Sequence, residues 1–152
     1  MAKRAIREYD AKRMLSKGLA EVSGGRFTVD PNLVSVSAET DLDALPKEHP
    51  WLAGVKLVVK PDQLFGKRGK NDLLCLDADW DTARKWIRDR MGKEITIVQT
   101  TGKTTGKLDR FLVEPFVRHG KEYYIGITSS RDHDSIYLSA FGPGADLTIT
   151  DS

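Results

Sequence analysis

An α+β fold, with a mixed or antiparallel sheet and flanking helices, is what this sequence predicts, and three observations predict it. Apolar residues at the start recur at helical spacing. A β-branched run closed by a proline follows near residue 60, with a glycine-bearing basic loop after it. Beyond residue 95 the chain keeps a two-residue rhythm broken by glycine, lysine, aspartate and histidine, the pattern of antiparallel strands. Helix, strand, helix, hairpin, helix and then meander is an order that argues against a doubly wound parallel sheet.

The elements follow in turn. Ile6, Tyr9, Met14, Leu15, Leu19 and Val22 recur every three to five residues, which predicts an amphipathic helix over 6–22, stopped before Gly24 and Gly25. Residues 33–36 read as a short strand and 41–48 as a brief helix ended ahead of Pro50. His49-Pro50-Trp51-Leu52 reads as a helix stop followed by a packed tryptophan. Residues 55–61 make a buried strand, and 62–72 a loop carrying Gly66 and Gly69 that returns into a strand at 73–76. A helix over 82–91 takes Asp79 or Asp81 as its N-cap and Gly92 near its end, with Trp86, Ile87 and Met91 available for burial. Strands are expected at 95–100, 108–117, 122–128 and 135–141.

Composition narrows the function. The 152 residues suffice for one compact domain, or a piece of a larger one, with a real core. An apolar fraction of 39% beside a charged fraction of 30% excludes disorder and membrane residence as dominant features. A net charge of +2, spread along the chain, gives no general pull toward nucleic acid, and no exposed aromatics interleave with the cations. Neither a nucleic-acid nor a membrane partner is expected. The basic residues Arg84, Lys85, Arg88 and Arg90 are read as a solvated helix face. A single cysteine, Cys75, sits in the apolar run Leu73-Leu74-Cys75-Leu76 as a small buried hydrophobe. With no cysteine framework, signal peptide or membrane helix, a cytoplasmic location is expected. The beginning looks like a translation start, whereas the end at Ser152 looks arbitrary.

Two motifs fail as catalytic signatures. Thr101-Gly102-Lys103-Thr104 and Thr105-Gly106-Lys107 imitate the tail of a P-loop, but the glycine five positions earlier is Ile97 or Thr101, and no helix is expected after either lysine. The stretch reads as a strand end and polar turn. His49, His119 and His133 lie too far apart in sequence to suggest a metal site or a nucleophile's base. No catalytic residue and no metal ligand is assigned.

Two other stretches carry more. Lys60, ending a buried strand, is costly to place unless an anion meets it, and Lys67, Arg68, Gly69 and Lys70 can approach the same anion. Glycine removes a side chain from the path, and Arg68 offers a planar fork of donors. Polyphosphate is the ligand this suggests; a lysine that merely snorkels is the competing reading. In Phe111-Leu112-Val113-Glu114-Pro115-Phe116-Val117, a proline inside an apolar strand breaks the ladder and leaves neighbouring backbone groups for another partner such as an adenine edge. The competing reading is an edge strand or bulge.

At these residues the chain resembles the N-terminal region of the ATP-citrate lyase (ATP-citrate synthase) family, ATP-grasp proteins related to the β-subunit of succinyl-CoA synthetase. The resemblance runs in order from Ala2-Lys3-Arg4-Ala5-Ile6 through His49-Pro50-Trp51-Leu52, the run from Leu57 to Leu64, Lys67-Arg68-Gly69-Lys70 and the run from Phe111 to Val117. It implies an α+β, ATP-grasp-like domain, with residues 1–152 as its N-terminal portion, cut short at the C-terminus after the Gly142-Pro143-Gly144 turn. It further implies ATP between two lobes, with Lys60, Arg68 and Gly69 at the phosphates. Glu114, Pro115, Phe116 and Val117 would present backbone groups to adenine, and Glu122 would hold ribose hydroxyls.

In that family ATP phosphorylates a histidine, the phosphoryl group passes to citrate, and citryl-CoA forms before cleavage to acetyl-CoA and oxaloacetate. The magnesium ligands, the phosphohistidine and the citrate and coenzyme A sites are expected outside this chain, which alone is expected to be inactive. The parent is expected to be oligomeric. A citryl-CoA or succinyl-CoA synthetase-type ligase and a non-catalytic nucleotide-binding or subunit-contact module are the alternatives. The tip Phe65-Gly66-Lys67-Arg68 departs from the more uniformly basic loop of the family.

Overall fold

The computed structural model describes residues 5–63, 73–99, 102–121 and 123–140. In chain order they form α1 (Glu8–Val22), β1 (Val34–Ser37), α2 (Leu45–Glu48), a 3-10 turn (Pro50–Ala53), β2 (Leu57–Pro61), β3 (Cys75–Ala78), α3 (Trp80–Arg90), β4 (Glu94–Gln99), β5 (Gly102–Lys107), β6 (Arg110–Pro115), β7 (Tyr124–Ser129) and β8 (Asp134–Ser139). The class is α+β, as the order of patterns predicts. Two compact units divide the chain, one ending at Phe116 and the other beginning at Val117. No helix among the described residues is long and apolar enough to cross a membrane.

The first unit is built on an antiparallel sheet of order β1-β6-β2-β3. The predicted meander therefore does not hold for β6: it runs back between β1 and β2, matching Val34 with Val113 on one side and Val59 with Val113 on the other. Two-residue periodicity reports that a segment is a strand but says nothing of which strand it pairs with, and β6 is apolar enough to serve as a central one. Val34, Val36, Leu57, Val59, Phe111 and Val113 turn toward a single core together with Ala83 and Ile87 of α3. Trp86 meets Phe111 edge to face at 5.6 Å between ring centres.

Between Leu57 and Val59 the pairing with β3 shifts from Ala78 to Cys75. Asp77 takes up the slack with a φ of 53°. This bulge lets both Cys75, as expected, and Ala78 face the core while Leu76 is turned outward.

Helix ends follow the expected chemistry. Asp79, rather than Asp81, caps α3, its side chain accepting from the Thr82 N–H at 2.9 Å. At the end of α1, Gly24 has a φ of 60°, and the N–H groups of Gly24 and Gly25 return to the carbonyls of Glu21 and Ala20. This is a Schellman closure, which explains the stop before that glycine pair. Pro50 opens the 3-10 turn that buries Leu52 and seats Trp51 against the core.

Two expectations need correcting. The polar turn assigned to residues 100–107 contains β5, which pairs with β4 along its whole length, Thr96 and Thr105 sharing a 2.8 Å hydroxyl contact. Threonine is β-branched and suits an exposed strand, and this local preference outweighs the glycines. The second correction concerns α1, which has no fully buried residue; Ile6, Met14, Leu15 and Val22 are each more than half exposed. Its inward side carries Glu8 and Lys12 instead. The second unit contains the hairpin β7–β8, in which Ile125 stands opposite Leu138 and Ile127 opposite Ile136, all four exposed.

Candidate functional site

Side chains alternate across a sheet, so the residues of β2 and β6 that do not face the core form a second face. Leu57, Val59 and Pro61 point to the core, which leaves Val58 and Lys60 on the other side; their partners across the ladder are Glu114 and Leu112. The first turns of α1 meet this face. Its first turn and the end of β2 are tied together twice: Lys60 meets Glu8, and the Tyr9 N–H points at the buried Asp62 carboxylate at 3.4 Å. A carboxylate there also complements the positive end of the helix.

Four charges of alternating sign gather at this junction. The Lys60 ammonium lies 2.7 Å from Glu8 and 2.7 Å from Glu114. Lys12, one turn after Glu8 on α1, reaches Glu8 at 3.1 Å and also bonds Glu114. Two ammonium groups thus share two carboxylates. Lys60 and Glu114 keep only 15% and 16% of their side chains exposed, so each needs the other. Burial lowers the Lys12 pKa, but the hydrogen bond and charge of Glu114, with Glu8 behind them, outweigh it and hold the ammonium above its ordinary value.

The neighbourhood of Lys60 is also fixed from below. Asp62 donates its backbone N–H to the Arg110 carbonyl at 2.9 Å. Gln63 donates to the Lys107 carbonyl and lies 3.2 Å from the Asp109 carboxylate. The end of β2 is therefore anchored to the start of β6.

Of the residues singled out by sequence, Lys60 and Glu114 are brought into direct contact, and Pro115 and Phe116 continue the same strand. Pro115 stands opposite Leu57 at the end of β6, and the Phe116 N–H is taken by the Lys56 carbonyl at 2.7 Å. The ladder therefore carries on past the proline, and this donor is occupied. Val117 is exposed and belongs to the second unit, where its carbonyl lies 2.9 Å from His119 Nδ1. Arg68, Gly69 and Glu122 lie outside the described residues.

Sequence reasoning missed Glu8 and Lys12. The signal was present as a Glu-Lys pair four residues apart, the spacing that puts both on one helix face. Their weight comes from Lys60 and Glu114 beneath them, which only the tertiary fold reveals. The later basic residues are engaged on the protein itself: Arg84 and Arg88 pair with Asp43, and Arg90 lies 4.2 Å above the Trp86 ring. Burial pushes the Cys75 thiol pKa up, which leaves it a poor nucleophile.

The same geometry offers magnesium no site. Among the described residues no group of three His, Cys, Asp or Glu side chains could hold a metal ion. The carboxylates beside Lys60 are already matched by two ammonium groups, so this cluster does not fit a divalent cation.

Comparison with known proteins agrees with the fold. The family model of the ATP-citrate synthase ATP-grasp domain matches residues 2–151. ATP-citrate synthase alpha chain protein 2 of Arabidopsis thaliana is 42% identical over 97% of this chain, which spans 33% of that relative's length. The ATP-citrate synthase of Homo sapiens is 36% identical across the whole chain, which covers 13% of it. Among solved structures, ATP citrate lyase from Methanothrix soehngenii, described in complex with citrate and coenzyme A, superposes with a TM-score of 0.81 at 45% identity. That superposition covers 93% of this chain and 33% of the lyase chain. The chain belongs to the ATP-citrate synthase ATP-grasp domain family.

Proposed function

We propose that residues 1–152 are the N-terminal portion of one ATP-grasp domain and supply the nucleotide-binding part of an ATP-dependent citrate-cleaving enzyme. In this reading Lys60, with Arg68 and Gly69, receives the phosphates, and Glu114, Pro115, Phe116 and Val117 run along the adenine. Because the Phe116 N–H is already bonded to Lys56, adenine is met by other backbone groups of that run. Glu122 holds the ribose hydroxyls. Magnesium arrives with the nucleotide and takes its protein ligands from outside residues 1–152.

The observation that carries the proposal is the contact between Lys60 and Glu114 on neighbouring strands. The pairing of β2 with β6 supports this reading, because a phosphate-side cation and an adenine-side strand have to be neighbours if one nucleotide is to touch both. The membership of the domain family and the citrate-bound lyase relative support the larger assignment. The parent reaction is citrate plus ATP plus coenzyme A giving acetyl-CoA, oxaloacetate, ADP and phosphate, by way of a phosphohistidine and citryl-CoA. The contribution of this portion to it is positioning and charge neutralisation of the triphosphate.

NMR titration with ATP and magnesium tests the assignment. Weak binding is expected, with shifts at Lys60 and along β6, and its loss in both Lys60→Ala and Arg68→Ala. Unchanged titration curves for both variants would reject the phosphate site.

A further inference from the structure

The ammonium of Lys60 is not presented to solvent. Glu8 and Glu114 each stand 2.7 Å from it, and together with Lys12 they close a cluster of two positive and two negative charges. A phosphate approaching Lys60 therefore meets an ammonium that already holds two carboxylates. Electrostatic attraction for an incoming polyanion appears only when one carboxylate withdraws, leaving two ammonium groups facing one acid.

The two carboxylates are not equally able to withdraw. Both are bonded to Lys12 as well as Lys60, but Glu114 sits on β6, the strand paired on both sides. Glu8 lies in the first turn of α1, a helix with no fully buried residue and no side-chain bond from its N-cap Arg7. It also retains more exposure than Glu114, 24% against 16%. Tyr9 is tied to Asp62 independently of the Glu8 side chain, so a rotamer change of that glutamate leaves the helix start in place. After it, Lys12 and Lys60 both face the one Glu114 carboxylate, and the position that Glu8 held on Lys60 is open to a phosphate oxygen.

We infer that Glu8 is a built-in competitor for the nucleotide: its carboxylate occupies the position on Lys60 that a phosphate oxygen takes on binding. The inference rests on the phosphate role proposed for Lys60 and adds a residue that tunes affinity there. Its consequence is opposite in sign to that of a supporting residue, since removing the Glu8 charge should strengthen binding. Asp10, two residues further along α1 and exposed, carries the same charge away from this cluster and serves as the control.

The experiment is the NMR titration with ATP and magnesium on the wild-type chain and on Glu8→Gln, Asp10→Asn and Lys60→Ala. Glu8→Gln is expected to bind about three- to fivefold more tightly than wild type, the upper part of the range for a partly exposed ion pair removed from the competing side. Asp10→Asn should stay within about twofold, the mark of a charge screened by solvent. Equal or weaker binding by Glu8→Gln, with Lys60→Ala still losing it, overturns the competition and leaves the phosphate role standing. Equal tightening by Asp10→Asn also overturns it, because net charge would then be the cause. Binding unaffected by Lys60→Ala, or absent from all four proteins, overturns both readings.

Discussion

Replacing Lys60 by methionine keeps most of the side-chain stem and removes only the charge, so its effect on stability isolates the cluster beneath α1. At 2.7 Å each contact to Glu8 and Glu114 has a gross Coulomb energy of about 6 kcal/mol at an effective dielectric near 20. Desolvation of the three groups cancels much of this, and breaking one partner of a largely buried pair is normally worth about 3–5 kcal/mol. Lys12 continues to neutralise part of the negative charge, which lowers the expected loss to about 2–3 kcal/mol. If the loss arises from stranded carboxylates, taking away Glu114 as well should return some of it. The double variant Lys60→Met with Glu114→Gln is expected to fall short of the sum of the singles by about 1–2 kcal/mol. Urea unfolding followed by tryptophan fluorescence is a suitable assay, because Trp51, Trp80 and Trp86 all lie in the first unit. Additivity of the two substitutions to within about 0.5 kcal/mol would refute the reasoning, since residues that do not interact simply add.

Two further outcomes follow from the same structure. The Lys12 pKa is raised in the folded chain, so its stabilising effect is complete below the unfolded value of about 10.4 and is lost as pH rises through the folded one. Urea stabilities of wild type and Lys12→Met, measured at steps from pH 9 to 12, should therefore converge toward the alkaline end, and a constant gap would contradict the assignment. In the core, Ile87→Ala removes a side chain with no exposure and should cost about 2–5 kcal/mol in the same assay. Met14→Ala on the outward side of α1 should change stability by less than about 0.5 kcal/mol, and equal losses for the two would contradict the orientation of that helix.

Local signals were legible where one residue type has one physical use. Gly24 and Gly25 ended α1, one of the two candidate aspartates, Asp79, capped α3, and Pro50 closed the segment before it, because each depends on backbone geometry that neighbouring residues decide. Pairing was not legible, since β6 skips β4 and β5 to enter the sheet between β1 and β2, and nothing in an alternating pattern names a partner. The bulge at Asp77 was hidden for a related reason. It exchanges which of Leu76 and its neighbours faces inward, and a run of four apolar residues gives no indication that one of them turns out.

The opening helix shows why part of the candidate site was missed. Apolar periodicity alone would bury Ile6, Met14, Leu15 and Val22, yet the sheet face that α1 covers offers Lys60 and Glu114 beside Leu112 and Val58. Burying those two ions under hydrocarbon would cost several kcal/mol each, whereas a glutamate and a lysine one turn apart match both. Charge pairing therefore decides which side of α1 turns inward. The usual inference from a strand-end lysine to a bound anion needs amending in this light, because a carboxylate of the same chain satisfies the ammonium first. A phosphate ligand is then distinguished from a purely structural ion pair by exchange: it must displace Glu8, and a structural pair has nothing to displace.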